Sequence, residues 1–154
     1  MTRILMVCLG NICRSPLAHG ILQSKLPSDT FFVDSAGTAN YHVGDAPDHR
    51  SIAIAKSNGI DISNQRGRQF NVSDFDTFDY IFTMDDSNYQ NVIALARNSD
   101  DIAKVKCILE GNHSNKHTYV PDPYYGDMSD FQNVFELLEK ACHSLSEKLQ
   151  KSGL

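Results

Sequence analysis

The chain has 154 residues, 41% of them hydrophobic and 21% charged, a length that fits one domain and a composition able to bury a core. Fourteen Lys and Arg stand against 19 Asp and Glu, a net charge of −5; the one basic island, Arg66-Gly67-Arg68, is too small to make nucleic acid an expected partner. The longest apolar run, Ile4 to Leu9, is far short of the ~20 residues a membrane span needs.

That run, preceded by Arg3, imitates the start of a signal peptide, but Gly10, Asn11 and Arg14 interrupt it and no small-residue cleavage site follows. The expected compartment is the cytoplasm. Cys8, Cys13, Cys107 and Cys142 show no C-x-x-C spacing, so reduced thiols are the expected state.

Arg3 to Cys8 is a β-favouring run that stops at Gly10-Asn11, after which Ser15-Pro16 supplies an N-cap and a first-turn proline for a helix over about residues 16 to 26. Phe31 to Ser35 reads as a second strand closed by Ala36-Gly37. Ile52, Ala55 and Lys56 mark a helix ending at Asn58-Gly59. Phe78 to Met84 is a third strand, followed by a helix that starts at Asp85 to Ser87 and carries Tyr89, Val92, Ile93 and Ala96; Val105 to Leu109 is a fourth strand. Residues 110 to 128 read as an irregular loop. Ser129-x-x-Gln132 then reads as a capping box before the apolar stripe of Phe131, Val134, Phe135, Leu138, Ala141, Cys142, Leu145 and Leu149. Strands alternating with helices imply an α/β fold: one domain over residues 1–154, with a four-stranded parallel sheet covered on both faces. Its ligand crevice is expected beyond the strand carboxyl ends.

The first loop, Val7-Cys8-Leu9-Gly10-Asn11-Ile12-Cys13-Arg14-Ser15-Pro16, lies at that crevice. A cysteine and an arginine enclosing five residues would arise by chance about one time in six in this composition, so the context carries the reading. Between a parallel strand and a helix N-terminus, successive backbone N–H groups converge on one concavity that suits a tetrahedral dianion. Arg14 adds a planar fork for two phosphate oxygens. Cys8, at the base of this electropositive nest, is expected to be a thiolate and thus a nucleophile aimed at phosphorus; Ser15 is placed to donate to its sulfur when that sulfur leaves. Asp122, between Pro121 and Pro123, is either a general acid held over the pocket or the start of a type I turn. Tyr124 and Tyr125 are either crevice walls or ordinary loop aromatics. Asn11 also has a turn reading, as a residue suited to positive φ.

With Asp34-Ser35-Ala36-Gly37-Thr38, Phe78-Asp79-Tyr80-Ile81, Met84-Asp85 and Asp122-Pro123-Tyr124-Tyr125-Gly126, the sequence resembles the low-molecular-weight protein tyrosine phosphatases over essentially its whole length. The resemblance implies a four-stranded parallel sheet, no metal or other cofactor, and a phosphocysteine intermediate. It implies Cys8 as nucleophile, Arg14 as phosphate clamp and Asp122 as general acid, with Leu9, Gly10, Asn11, Ile12, Cys13 and Ser15 completing the phosphate loop. Asn11 and Ser35 match positions that brace that loop, and Leu9, Tyr41, His42, Tyr124 and Tyr125 match the crevice. Cys13 matches a thiol that pairs reversibly with the nucleophile. The implied partners are phosphotyrosine-containing proteins or peptides, with phosphate or vanadate as ligands and a monomer as the unit. One departure is Asn64, at a position often histidine in the bracing network.

Other chemistries fit less well. Arsenate reduction on a similar fold needs a close downstream cysteine pair, whereas Cys107 and Cys142 are far apart, and a phosphocarrier needs neither Arg14 nor Asp122. Phosphoarginine phosphatases resemble this family but carry threonine where Ile12 stands. His113 and His117 are spaced like metal ligands, without a third nearby, and read as a solvated loop. Arg66 and Arg68 read as a solvated turn, with attraction of an acidic peptide as the alternative. No G-x-G-x-x-G or G-x-x-x-x-G-K-[ST] occurs, so no nucleotide cofactor is expected.

Overall fold

A computed structural model of the chain describes residues 1–109 and 119–151. Four strands, β1 (Thr2–Cys8), β2 (Phe31–Gly37), β3 (Tyr80–Thr83) and β4 (Val105–Cys107), form a parallel sheet in the order β2-β1-β3-β4. The described helices are α1 (Arg14–Lys25), α2 (His49–Ser57), α3 (Asp74–Thr77), α4 (Asp86–Ile93), α5 (Ser99–Ala103) and α6 (Met128–Lys151). The expected α/β class and parallel sheet are therefore present.

Strand β1 lies inside the sheet, so both of its faces are covered and its sequence is an unbroken apolar run rather than an alternating one. Side chains still alternate with period two. Ile4, Met6 and Cys8 enter the core made with Leu17, Ile21, Phe135 and Leu138 of α1 and α6. Leu5 and Val7 face the opposite core of Phe70, Phe75, Phe78 and Val92. The last residue of the strand, Cys8, thus comes out of a fully packed ladder, paired in register with Gly37 at the end of β2.

Two helix starts differ from the sequence reading. Helix α1 begins at Arg14, with Cys13 as its N-cap and no side-chain cap; the Ser15 hydroxyl is engaged by Cys8 and Asn11 instead. At α6 the reciprocal cap is made by Asp127 and Asp130. Asp127 Oδ1 accepts from the Ser129 N–H at 3.0 Å, while the Asp127 N–H donates to Asp130 Oδ2 at 2.9 Å. Gln132 bonds Glu136 on the solvent side. Strands β3 and β4 are shorter than the apolar runs that signalled them, and Ala96 lies beyond the end of α4. His113 and His117 lie outside the described residues.

The close of β2 is tight. A Cβ on Gly37 would lie 2.7 Å from the Leu9 carbonyl oxygen and 3.1 Å from the Asn11 nitrogen, both of them backbone atoms of the loop that follows β1. Gly37→Ala is expected to destabilise the protein by about 1–3 kcal/mol in urea unfolding and to weaken inorganic phosphate binding at that loop. An unchanged unfolding midpoint and affinity would show that the loop yields freely.

Candidate active site

The loop from Cys8 to Arg14 is shaped by where its carbonyls go. The oxygens of Cys8 and Leu9 accept from the N–H groups of Thr38 and Ala39, that of Ile12 accepts from Asp48 N–H at 2.8 Å, and that of Cys13 accepts from the Ser51 hydroxyl. Every described peptide is trans, so each N–H points opposite to the preceding carbonyl. Turning those four carbonyls outward therefore turns the N–H groups of Leu9, Gly10, Cys13 and Arg14 toward the crevice. Asn11 reverses the chain midway with φ of 59°, a left-handed conformation that asparagine tolerates.

Cys8 Sγ forms the floor. It receives the Asn11 N–H at 3.3 Å and lies 3.1 Å from the Ser15 hydroxyl. Asn11 bridges the loop, donating Nδ2–H to Ser15 Oγ at 2.8 Å and accepting from the Arg68 N–H at 3.1 Å. Asn11 thus combines a positive φ with hydrogen bonds to Ser15 and Arg68.

Arg14 is 2% exposed. Its Nη1 donates to Asp85 Oδ2 at 2.6 Å and to the Val120 carbonyl at 3.0 Å, and its Nη2 lies 3.7 Å from Asp122 Oδ2. Burial opposes the charge, but Cys8 and Asp85 outweigh it and hold the guanidinium protonated. With Nη1 fixed, the edge made by Nε and Nη2 is left as the fork.

The structure brings together Cys8, Leu9, Gly10, Ile12, Cys13, Arg14, Tyr41, His42, Asp122, Tyr124 and Tyr125 around one crevice of about 290 Å³. Tyr124 and Tyr125 meet edge to face at 4.9 Å, and the Tyr124 ring is also near His42. Tyr125 is 96% and Tyr41 72% exposed, which makes them rims rather than buried walls. Cys13 is buried, and burial, with Asp48 and Cys8 nearby, pushes its thiol up. No disulfide joins Cys8 and Cys13 in this structure.

Ser35 acts at one remove from the loop: its hydroxyl pairs with His19 Nδ1 at 3.2 Å. Asn64 is exposed, while the adjacent Gln65 turns inward and donates to the Pro16 carbonyl. Gln65, rather than Asn64, meets this region of the frame. Arg66 is exposed, and its guanidinium donates to the Ser63 and Gln65 carbonyls. Arg68 departs from the solvated-turn reading, because it makes a fork to Asp74 and a second contact to Asp34 while its backbone braces Asn11.

His19 and the pair Asp48–Arg50 are residues that the sequence alone does not single out, while Asp85 and Arg68, both noted there, make contacts that it does not indicate. A signal exists for Asp85, which follows the carboxyl end of β3 where ligands gather in such sheets. Among the described residues no group of three or more metal-ligating side chains occurs.

Burial pushes the His19 imidazole below its ordinary value near 6.5, against the weaker pull of Asp34 and Gln65. In the window below 6.5 the unfolded chain therefore holds more protons than the folded one, and stability falls as pH falls. The urea midpoint is expected to drop from pH 7.5 to pH 5.5, and the drop is expected to shrink in His19→Gln. An equal drop in both would remove His19 as the cause.

A family model described as low molecular weight phosphotyrosine protein phosphatase matches residues 3–153. The low molecular weight phosphotyrosine protein phosphatase of Dictyostelium discoideum is 42% identical over 153 residues, covering 86% of this chain and 85% of that one. A protein tyrosine phosphatase of Entamoeba histolytica, solved with Hepes in the active site, superposes with a TM-score of 0.93 at 37% identity over the full length of both chains. Wzb of Vibrio vulnificus, solved in complex with benzylphosphonate, gives 0.86 at 27% identity and covers 96% of this chain and 99% of that one.

Proposed function

Since the chain belongs to the low molecular weight phosphotyrosine protein phosphatase family, we propose that it hydrolyses phosphotyrosine and small aryl phosphate monoesters through a phosphocysteine at Cys8. The observation that carries this reading is the Cys8 sulfur on the floor of a cradle of inward N–H groups, with Arg14 and Asp122 across the same crevice.

A phosphate dianion in the cradle accepts from the loop N–H groups and from the Arg14 fork, while its aryl group lies among Tyr41, Tyr124 and Ile12. The Cys8 thiolate attacks phosphorus, the bond to the phenolic oxygen breaks, and Asp122 gives that oxygen its proton. In the second step the Asp122 carboxylate takes a proton from water, the water oxygen bonds to phosphorus, and the thiolate leaves. Ser15 and the Asn11 N–H donate to the sulfur as its charge returns. Asp85 and the Val120 carbonyl support the clamp by fixing Nη1 of Arg14.

The same reading takes phosphotyrosine-containing proteins or peptides as substrates, phosphate and vanadate as competing ligands, a monomer as the working unit and the cytoplasm as the compartment. Among the described residues no helix is long and apolar enough to cross a membrane.

Two expectations test the chemistry. Cys8→Ser abolishes turnover while vanadate still binds by calorimetry, because the cradle and Arg14 survive. Asp122→Ala slows phosphoryl transfer from phenyl phosphate roughly 10²–10⁴-fold and from p-nitrophenyl phosphate much less, since the better leaving group needs less protonation. Equal losses on the two esters at that step would falsify the acid role.

Burial keeps Cys13 protonated, so peroxide is expected to oxidise Cys8 first and Cys13 to capture it as a disulfide that thiols reverse. Cys13→Ser is expected to remain active yet lose most of its recovery after peroxide. Full recovery of that variant would leave Cys13 a packing residue.

A further inference from the structure

The residues at the start of α2 touch both halves of the crevice. On one side the Asp48 N–H donates to the Ile12 carbonyl and the Ser51 hydroxyl to the Cys13 carbonyl, both in the phosphate loop. On the other side Arg50 reaches the segment that carries Asp122. Its Nη2 donates to the Tyr124 carbonyl at 2.8 Å and its Nη1 to the Gly126 carbonyl at 3.0 Å. The guanidinium is stacked 4.4 Å from the Phe131 ring centroid of α6 and 5.8 Å from that of Tyr124.

Arg50 is itself immobilised. Nε and Nη2 both donate to the carboxylate of Asp48, whose side chain is 8% exposed and whose Oδ1 also caps α2 through the Arg50 N–H. A fork bound on one edge by a buried carboxylate and on the other by two carbonyls cannot swing without losing several charge-assisted hydrogen bonds at once. The constraint continues to the acid. The N–H of Tyr124, the residue whose carbonyl Arg50 holds, donates to Asp122 Oδ1 at 3.1 Å. Occupying Oδ1 leaves Oδ2 as the oxygen turned toward Arg14.

We propose that Arg50 is the positioning residue of the general acid: by fixing Tyr124 and Gly126 to the same short segment that anchors the phosphate loop, it sets the reach of Asp122 Oδ2 over a bound aryl phosphate. This inference rests on the phosphatase reading above. Arg50 touches no reacting atom, and its contacts with Tyr124 and Gly126 lead to Asp122. Proton donation is needed most by poor leaving groups and is sensitive to small displacements.

The test combines Arg50→Lys and Arg50→Met with rapid-mixing measurement of the phosphoryl-transfer step on phenyl phosphate and p-nitrophenyl phosphate. Arg50→Lys keeps a charge for Asp48 but cannot serve a carboxylate and two carbonyls together, while Arg50→Met keeps stem packing on Phe131. For both variants the expected result is a loss of roughly 10–100-fold on phenyl phosphate, a loss of less than about threefold on p-nitrophenyl phosphate, and unchanged vanadate affinity. In an Asp122→Asn background neither substitution is expected to slow phenyl phosphate further by more than about twofold, because the group being positioned is already gone. Equal losses on both esters, losses that persist in the Asp122→Asn background, or no loss in either variant would overturn the inference while leaving the phosphatase reading intact. Wild type inactive on both esters would overturn the phosphatase reading, and this one with it.

Discussion

A backbone that must satisfy its carbonyls on one side in order to present its N–H groups on the other is the constraint on which this structure depends. The turn from Cys8 to Arg14 achieves it by drawing on three distant segments: Thr38 and Ala39 after β2, Asp48 and Ser51 at α2, and the Arg68 backbone that braces Asn11. Each partner is fixed by its own surroundings, and the parallel pairing of β1 with β2 brings the first of them within reach. The order β2-β1-β3-β4 places β1 inside the sheet with both faces packed, so the loop starts from a rigid base. A cradle of this kind needs no reorganisation when an anion arrives.

Electrostatics follow from that geometry. The chain carries an excess of acid, −5 in net charge, yet its crevice is built to receive a dianion. The conflict is resolved locally: four loop N–H groups and Arg14 face inward, while Asp85 directs its charge at one end of Arg14. Asp34 and Asp74 likewise share Arg68, and Asp48 is paired with Arg50. Carboxylates around the site thus act as anchors for cations, leaving Asp122, 3.7 Å from Arg14 Nη2, as the carboxyl that faces the crevice.

Much of this is legible in the sequence because the information is local. The unbroken run from Ile4 to Cys8 is the signature of a strand covered on both faces, and the loop after it is contiguous from Cys8 to Ser15. Local reading fails where one side chain has two possible employers. Ser15 fits an N-cap, but its oxygen is taken by Cys8 and Asn11; Ser129 fits a capping box, but the helix already starts at Met128 and Asp127 accepts the Ser129 N–H. Helices α3 and α5 are single turns, too short to show periodicity. The bracing residues are hidden for a different reason. Asp85 and Val120 lie 71 and 106 positions from Arg14, and Arg50 lies 74 from Tyr124; only the folded sheet brings them together.

The central claim is that Cys8 carries the phosphoryl group between the two halves of the reaction, and it can be measured directly. Wild-type protein is mixed with radiolabelled p-nitrophenyl phosphate, quenched in acid within milliseconds, digested and mapped by mass spectrometry. One labelled peptide containing Cys8, with phosphate on sulfur, and no label in Cys8→Ser is the expected result. Label on any other residue, or rapid turnover with no trapped intermediate at any quench time, would contradict it.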